Sequence, residues 1–109
     1  MKETKVALIF DGETVDDFTG ETNETKTYII DGKFGNFEVT TISTSINGVC
    51  TVEGNGEMLE VIYKHFDEEG NTELYLDSMG QGAFYLDITT WDSPSTLEEI
   101  KNTVINLLK

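Results

Sequence analysis

Two neighbouring stretches, "TELYLDS" (residues 72–78) and "AFYLDITTW" (residues 83–91), alternate in the same phase. Leu74 and Leu76 fall on one side of the first and Glu73, Tyr75 and Asp77 on the other; Phe84, Leu86 and Ile88 oppose Tyr85, Asp87, Thr89 and Trp91 in the second. Successive side chains of a strand point to opposite faces, so this pattern belongs to half-buried strands. With Gly80-Gln81-Gly82 as the turn between them, the two stretches form a hairpin with one apolar face. The other face then gathers tyrosines, tryptophan and carboxylates. A hairpin of this kind folds only if the rest of the chain covers its apolar side.

The cover is supplied by the last segment. In "SPSTLEEIKNTVINLLK" the period changes, and Leu97, Ile100, Val104, Leu107 and Leu108 form a helical stripe. Ser95 and Glu98 have capping-box spacing, while Pro94 suits the first turn of a helix begun at Ser93. Upstream, "TKVALIF" (4–10) has the apolar run of a buried strand, with Asp11-Gly12 as a turn signal. Residues 13–24 are polar and acidic and are expected to form a long loop. "KTYIIDG" (26–32) and the β-branched "NFEVTTISTSING" (36–48) are further strands, and Asn47-Gly48 suggests a type I′ turn returning through "VCTVE". "EMLEVIYKHF" (57–66) alternates with apolar residues on both sides, as a central strand would. The predicted fold class is α+β: a mainly antiparallel sheet of five to seven strands with one C-terminal amphipathic helix packed on one face. Residues 1–109 form a single domain, with strands within 4–91 and the helix over about 94–108.

A chain of 109 residues supports one core, and 38% hydrophobic residues are enough to build it. The unusual quantity is charge. Twenty-one Asp and Glu stand against seven basic residues, all of them lysine, for a formal net charge of −14. Such a surface repels DNA, RNA and anionic lipid, which need clustered Lys or Arg. The lack of arginine also disfavours bidentate phosphate recognition. No stretch approaches the apolar length of a membrane span, and the five-residue run 6–10 lacks a signal-peptide pattern.

Catalytic chemistry finds few footholds. Cys50 is the only cysteine and lies between Val49 and Val52 like a small core hydrophobe; His65 is the only imidazole and falls inside an alternating segment. With so many acids, a pair at glycosidase separation carries no information. The acidic, glycine-containing stretches "DGETVDDFTGETNE" and "DEEGNTE" suggest calcium, but an EF-hand beginning at Asp11 would have Asp16 where glycine is required and Thr22 where the bidentate Glu belongs. Gly54-Asn55-Gly56 and Gly80-Gln81-Gly82 lack the third glycine and following helix of a phosphate cradle. Asn23-Glu24-Thr25 fits the glycosylation pattern only by composition. The sequence therefore predicts no catalytic residue, no cofactor and no metal site.

The charge itself is the remaining candidate. Duplex DNA carries one negative charge per roughly 1.7 Å of axis, so a domain about 30 Å across overlies on the order of 18 phosphates. The chain's excess is comparable. The expected binding surface comprises Glu73, Tyr75, Asp77, Tyr85, Asp87 and Trp91, flanked by acidic loops carrying Asp16, Asp17, Asp67, Glu68 and Glu69. In size, acidity and absence of catalytic motifs the chain resembles small phage and mobile-element inhibitors of nucleic-acid-cleaving defence systems, such as anti-CRISPR and anti-restriction proteins. No motif is shared with them. The charge excess and the lack of catalytic motifs lead to the expectation of a non-enzymatic protein that blocks a basic nucleic-acid-binding effector, and the single cysteine and missing signal-peptide pattern to that of a cytoplasmic one, in a bacterium or a phage-infected cell. Its partner is a basic protein, an effector or a toxin, with no direct contact to nucleic acid or membrane. An immunity protein against a cognate toxin, or a virion assembly component, are the alternatives, and nothing in the sequence fixes an oligomeric state.

Overall fold

A computed structural model describes residues 5–91 and 94–109. Its elements run β1 (Lys5–Val15), β2 (Thr22–Gly32), β3 (Gly35–Ser43), β4 (Gly48–Asn55), α1 (Gly56–Glu69), β5 (Glu73–Gly80), β6 (Ala83–Thr90) and α2 (Pro94–Leu108). The six strands form one antiparallel sheet in the order β1-β2-β3-β4-β6-β5. The first four strands are a meander of hairpins. The chain then crosses over through α1 to the far edge and returns by β6 into the gap, a split β-α-β arrangement.

Both helices lie on the same face. Helix α1 packs over β4, β5 and β6, and α2 over β2, β3 and β4. Between them they enclose Ile30, Val39, Cys50, Val52, Leu86 and Ile88 from the sheet, Met58, Leu59, Ile62 and Phe66 from α1, and Leu97, Ile100, Val104 and Leu108 from α2. Strand spacing sets the limit of this cover. Two helices side by side, each about 10 Å wide, span roughly four strands at about 4.8 Å apiece. The outermost strand, β1, falls outside their footprint, and its residues are exposed almost throughout.

The hairpin of residues 72–91 and the C-terminal helix stand where the sequence places them, and the sheet has six strands, within the expected range. The number of helices differs. Residues 57–66, expected as a central strand, belong to helix α1. Asn55 caps it by accepting a hydrogen bond at Oδ1 from the Met58 N–H at 3.0 Å, and Gly70 ends it in the left-handed conformation, its N–H bonded to the Phe66 carbonyl at 3.1 Å. Met58, Leu59, Ile62 and Phe66 recur at helical spacing and are all buried. Alternation in this segment was coincidental with a stripe of period 3.6. His65 accordingly sits on a helix, with Nε2 3.2 Å from Glu69.

Three turn assignments also change. Asp11-Gly12 makes no turn, because β1 continues to Val15 with a register shift between Leu8 and Phe10. The long loop expected over 13–24 shrinks to residues 16–21. Its loop closes on Asp16, whose Oδ1 accepts from the Phe18 and Thr19 N–H groups at 2.8 and 3.2 Å. The β3–β4 hairpin forms, but neither Asn47 nor Gly48 has positive φ. The turn is instead held by the Thr44 hydroxyl, which donates to Asn47 Oδ1 and accepts from the Asn47 N–H. Gly48 is needed for space, since a Cβ there would lie 3.0 Å from the Leu97 side chain of α2. Helix α2 begins at Pro94, and its capping at Ser93 and the side chain of Ser95 lie outside the described residues. Among the described residues no helix is long and apolar enough to cross a membrane.

Candidate protein-binding face

With both helices on one side, the opposite face of the sheet is left bare. Strand register arranges its side chains in rows, three of which cross β2 to β6, while a shorter one at the end of the sheet holds Lys5, Asp31 and Asn36. Of the three, the first runs Ile29, Glu38, Glu53, Tyr85, Asp77; the second Thr27, Thr40, Thr51, Asp87, Tyr75; the third Thr25, Ile42, Val49, Thr89, Glu73. Glu38, Glu53, Asp77, Asp87 and Glu73 thus share one surface, and no lysine enters these three rows. The acids concentrate toward β5 and β6, while threonines occupy the middle.

Local contacts order this surface. Thr51 donates to Asp87 Oδ1 at 2.7 Å across β4 and β6, and the Tyr75 hydroxyl donates to Asp77 Oδ2 at 3.1 Å along β5. The latter bond, together with the charge of Asp77, holds the Tyr75 pKa above its usual value. The rings of Tyr75 and Tyr85 lie 6.0 Å apart and tilted by 42°, a contact that limits their freedom before any partner arrives. Thr27 and Thr40 hydroxyls are bonded at 3.1 Å in the same row.

Glu38 and Glu53 are direct cross-strand partners. Partial burial raises the Glu53 pKa, and the neighbouring Glu38 raises it further through charge and a hydrogen bond. Beside them, toward the hairpin turns at residues 33–34 and 81–82, lies a shallow depression of about 550 Å³ lined in part by Ile29, Glu38, Glu53, Asn55, Met79 and Ala83. Its walls combine apolar surface with two carboxylates.

Of the residues expected from the sequence, Glu73, Tyr75, Asp77, Tyr85 and Asp87 come together on the bare face. Trp91 follows directly after β6 and is 57% exposed. Asp16 and Asp17 lie in the β1–β2 loop at the end of the sheet where β5 begins and β6 ends, with Asp16 engaged in holding that loop. Asp67, Glu68 and Glu69 are not in a loop; they form the last turn of α1, on the helix side of the sheet and away from the bare face. Glu38 and Glu53 were missed. Their signal was present: each falls in phase with outward-facing threonines of a β-branched strand.

Elsewhere little chemistry is offered. Cys50 is fully buried on the helix side, where burial pushes its thiol up to about 12 and keeps it protonated. Lys101 is also buried; desolvation opposes its charge, but the hydrogen bond from Nζ to Glu98 and the adjacent Tyr28 ring, 4.7 Å away, leave its pKa raised. Among the described residues no group of three or more His, Cys, Asp or Glu is placed to hold a metal ion. Comparison with protein-family models, with characterised proteins and with solved structures gives no significant match.

Proposed function

We propose that this protein is a non-enzymatic inhibitor which occupies the basic groove of a nucleic-acid-binding effector, such as a phage-restricting nuclease, with its bare sheet face. One observation carries the reading: three rows running across β2 to β6 hold five carboxylates and two tyrosines with no cation among them, the nearest lysine in register being Lys5 at the far edge, opposite Asp31. Carboxylates on fixed strands can pair with the Arg and Lys that otherwise grip phosphates, and tyrosines add desolvated contact at low entropic cost. Association of such opposed surfaces is fast and weakens with salt.

Solubility alone would not require acids where they cost stability. Asp67, Glu68 and Glu69 crowd the last turn of α1, where the helix dipole disfavours negative charge and no basic residue lies in that turn, His65 reaching only Glu69. Glu38 and Glu53 face each other across neighbouring strands, also unfavourably. Acidity retained at such places fits a surface used against a cationic partner. The setting that suits this role is the cytoplasm of a bacterium or phage-infected cell.

The test is capture of candidate nucleases at low and high salt by the intact protein and by the variant Glu53→Gln/Asp77→Asn/Asp87→Asn. Tight binding at low salt, lost at high salt and reduced at least about tenfold in the variant, is the expected result. Binding indifferent to both salt and the three substitutions would refute the reading.

A further inference from the structure

The two edges of the sheet differ in how they are guarded. Strand β5 carries Glu73 and Asp77, and charged side chains discourage an edge from pairing with another chain. Strand β1 carries Lys5, Asp11 and Glu13, but between Lys5 and Asp11 it presents the uncharged run Val6, Ala7, Leu8, Ile9, Phe10, longer than any uncharged run of β5, and among the described residues no strand pairs with its outer side. Val6, Leu8, Ile9 and Phe10 are each 44–54% exposed, although their type is normally buried. A long apolar edge with open backbone donors and acceptors is a template for strand addition.

We infer that a second copy of this chain occupies the edge, through antiparallel β1–β1 pairing that joins two sheets into one. Charge decides which edge two copies can share. Residues 34–109 hold 13 Asp and Glu against three Lys, whereas residues 6–10 hold no charge. Strand β5 lies five strand spacings from β1, about 24 Å, and the Debye length at physiological salt is about 8 Å. Pairing through β1 therefore places the strongly acidic halves at the two far ends, where their repulsion is screened. Pairing through β5 would bring them together.

Register supports a short, regular contact. Lys5 to Leu8 precede the register shift of β1, and in that stretch Val6 and Leu8 lie on the helix side with Ile30 and Tyr28, while Ala7 lies on the bare side with Ile29. With Ala7 at the two-fold axis, Val6 of one copy opposes Leu8 of the other. The four side chains fill the groove left between the two helix layers. The axis is perpendicular to the sheet, so both acidic faces emerge on the same side, and a partner with two basic sites gains by avidity.

Sedimentation and light scattering of the full chain over micromolar to millimolar concentrations test this. The expected mass is twice 12.2 kDa, falling to 12.2 kDa in Leu8→Lys and staying doubled in Leu76→Lys on the β5 edge. Amide exchange at residues 5–8 of the unaltered protein should slow as concentration rises, which decides the matter even if Leu8→Lys folds poorly. A monomer throughout, a Leu8→Lys dimer, or β1 exchange independent of concentration would each overturn the inference. Effector capture by a monomeric Leu8→Lys variant reads the acidic face separately, so failure of one proposal leaves the other standing.

Discussion

Residues 6–10 and residues 58–66 are both rich in large apolar side chains, yet they meet opposite surroundings. The first segment is a regular strand whose apolar groups remain half exposed; the second is a helix whose Met58, Leu59, Ile62 and Phe66 are wholly enclosed. Hydrophobicity alone does not explain the difference, since the first run is the less interrupted of the two. Coverage does. A six-stranded sheet is wider than two helices can span; the edge strand β5 is largely exposed but still lies against α1, and β1 is the strand that neither helix packs on. Helix α1, by contrast, is itself half of the cover and must bury its stripe to exist at all.

The sharpest test of this contrast is truncation on each side. Ile62→Ala should destabilise the fold by about 3–4 kcal/mol, because it empties a fully enclosed site that α1 and the sheet cannot both close upon. Leu8→Ala, measured in dilute solution, should cost less than about 1 kcal/mol, since half of that side chain already faces water. Urea titration of the two variants reads both values. Equal costs would mean that β1 is covered and that the contrast is false.

Why a strand was expected at 57–66 is instructive. Apolar residues there sit at both odd and even positions, which a two-sided strand and a one-sided helix share. What distinguishes the helix is its ends: Asn55 at the capping position and Gly70 as terminator, 15 residues apart and therefore too far for a strand of ordinary length. The hairpin of residues 72–91 was legible because strict alternation in two adjacent segments leaves one arrangement. The C-terminal helix was legible because its stripe has no competing period. Glu73, Tyr75, Asp77, Tyr85 and Asp87 could be assigned to one surface for the same reason, whereas Glu38 and Glu53 join them only through the β3–β4–β6 register, a non-local property. Asp67, Glu68 and Glu69 were misplaced along with the helix that carries them.

The capping contact offers a second way to press on the contrast. Removing it by Asn55→Ala should cost about 1 kcal/mol, and Asn55→Asp should restore most of it, since either side chain can accept from the Met58 N–H. Thermal melts by circular dichroism are sufficient. If the alanine variant were neutral, the choice of helix over strand would rest on packing alone.

The smallest effect bears on the bare face, where the half-buried acids of β3 and β4 differ from the half-exposed apolar residues of β1 by opposing the fold through their charge. Glu53 has its folded pKa raised above 4.5 by partial burial and by Glu38. A raised acid binds more protons in the folded state than in the unfolded one, so its contribution favours folding at low pH and is lost as pH rises through the folded pKa. Ionised at neutral pH beside Glu38, it opposes folding. Glu53→Gln should therefore stabilise the protein at pH 7 by about 0.5 kcal/mol, a value kept small by solvent screening. The gain should shrink as pH falls through the raised folded pKa and be gone below 4.5, where Glu53 is neutral in both the folded and the unfolded chain, and urea midpoints measured across that window will show it. A gain that persisted undiminished in acid would assign the effect to packing. It would also remove one of the two places where acidity opposes stability, and with it part of the case that these carboxylates are kept for a cationic partner.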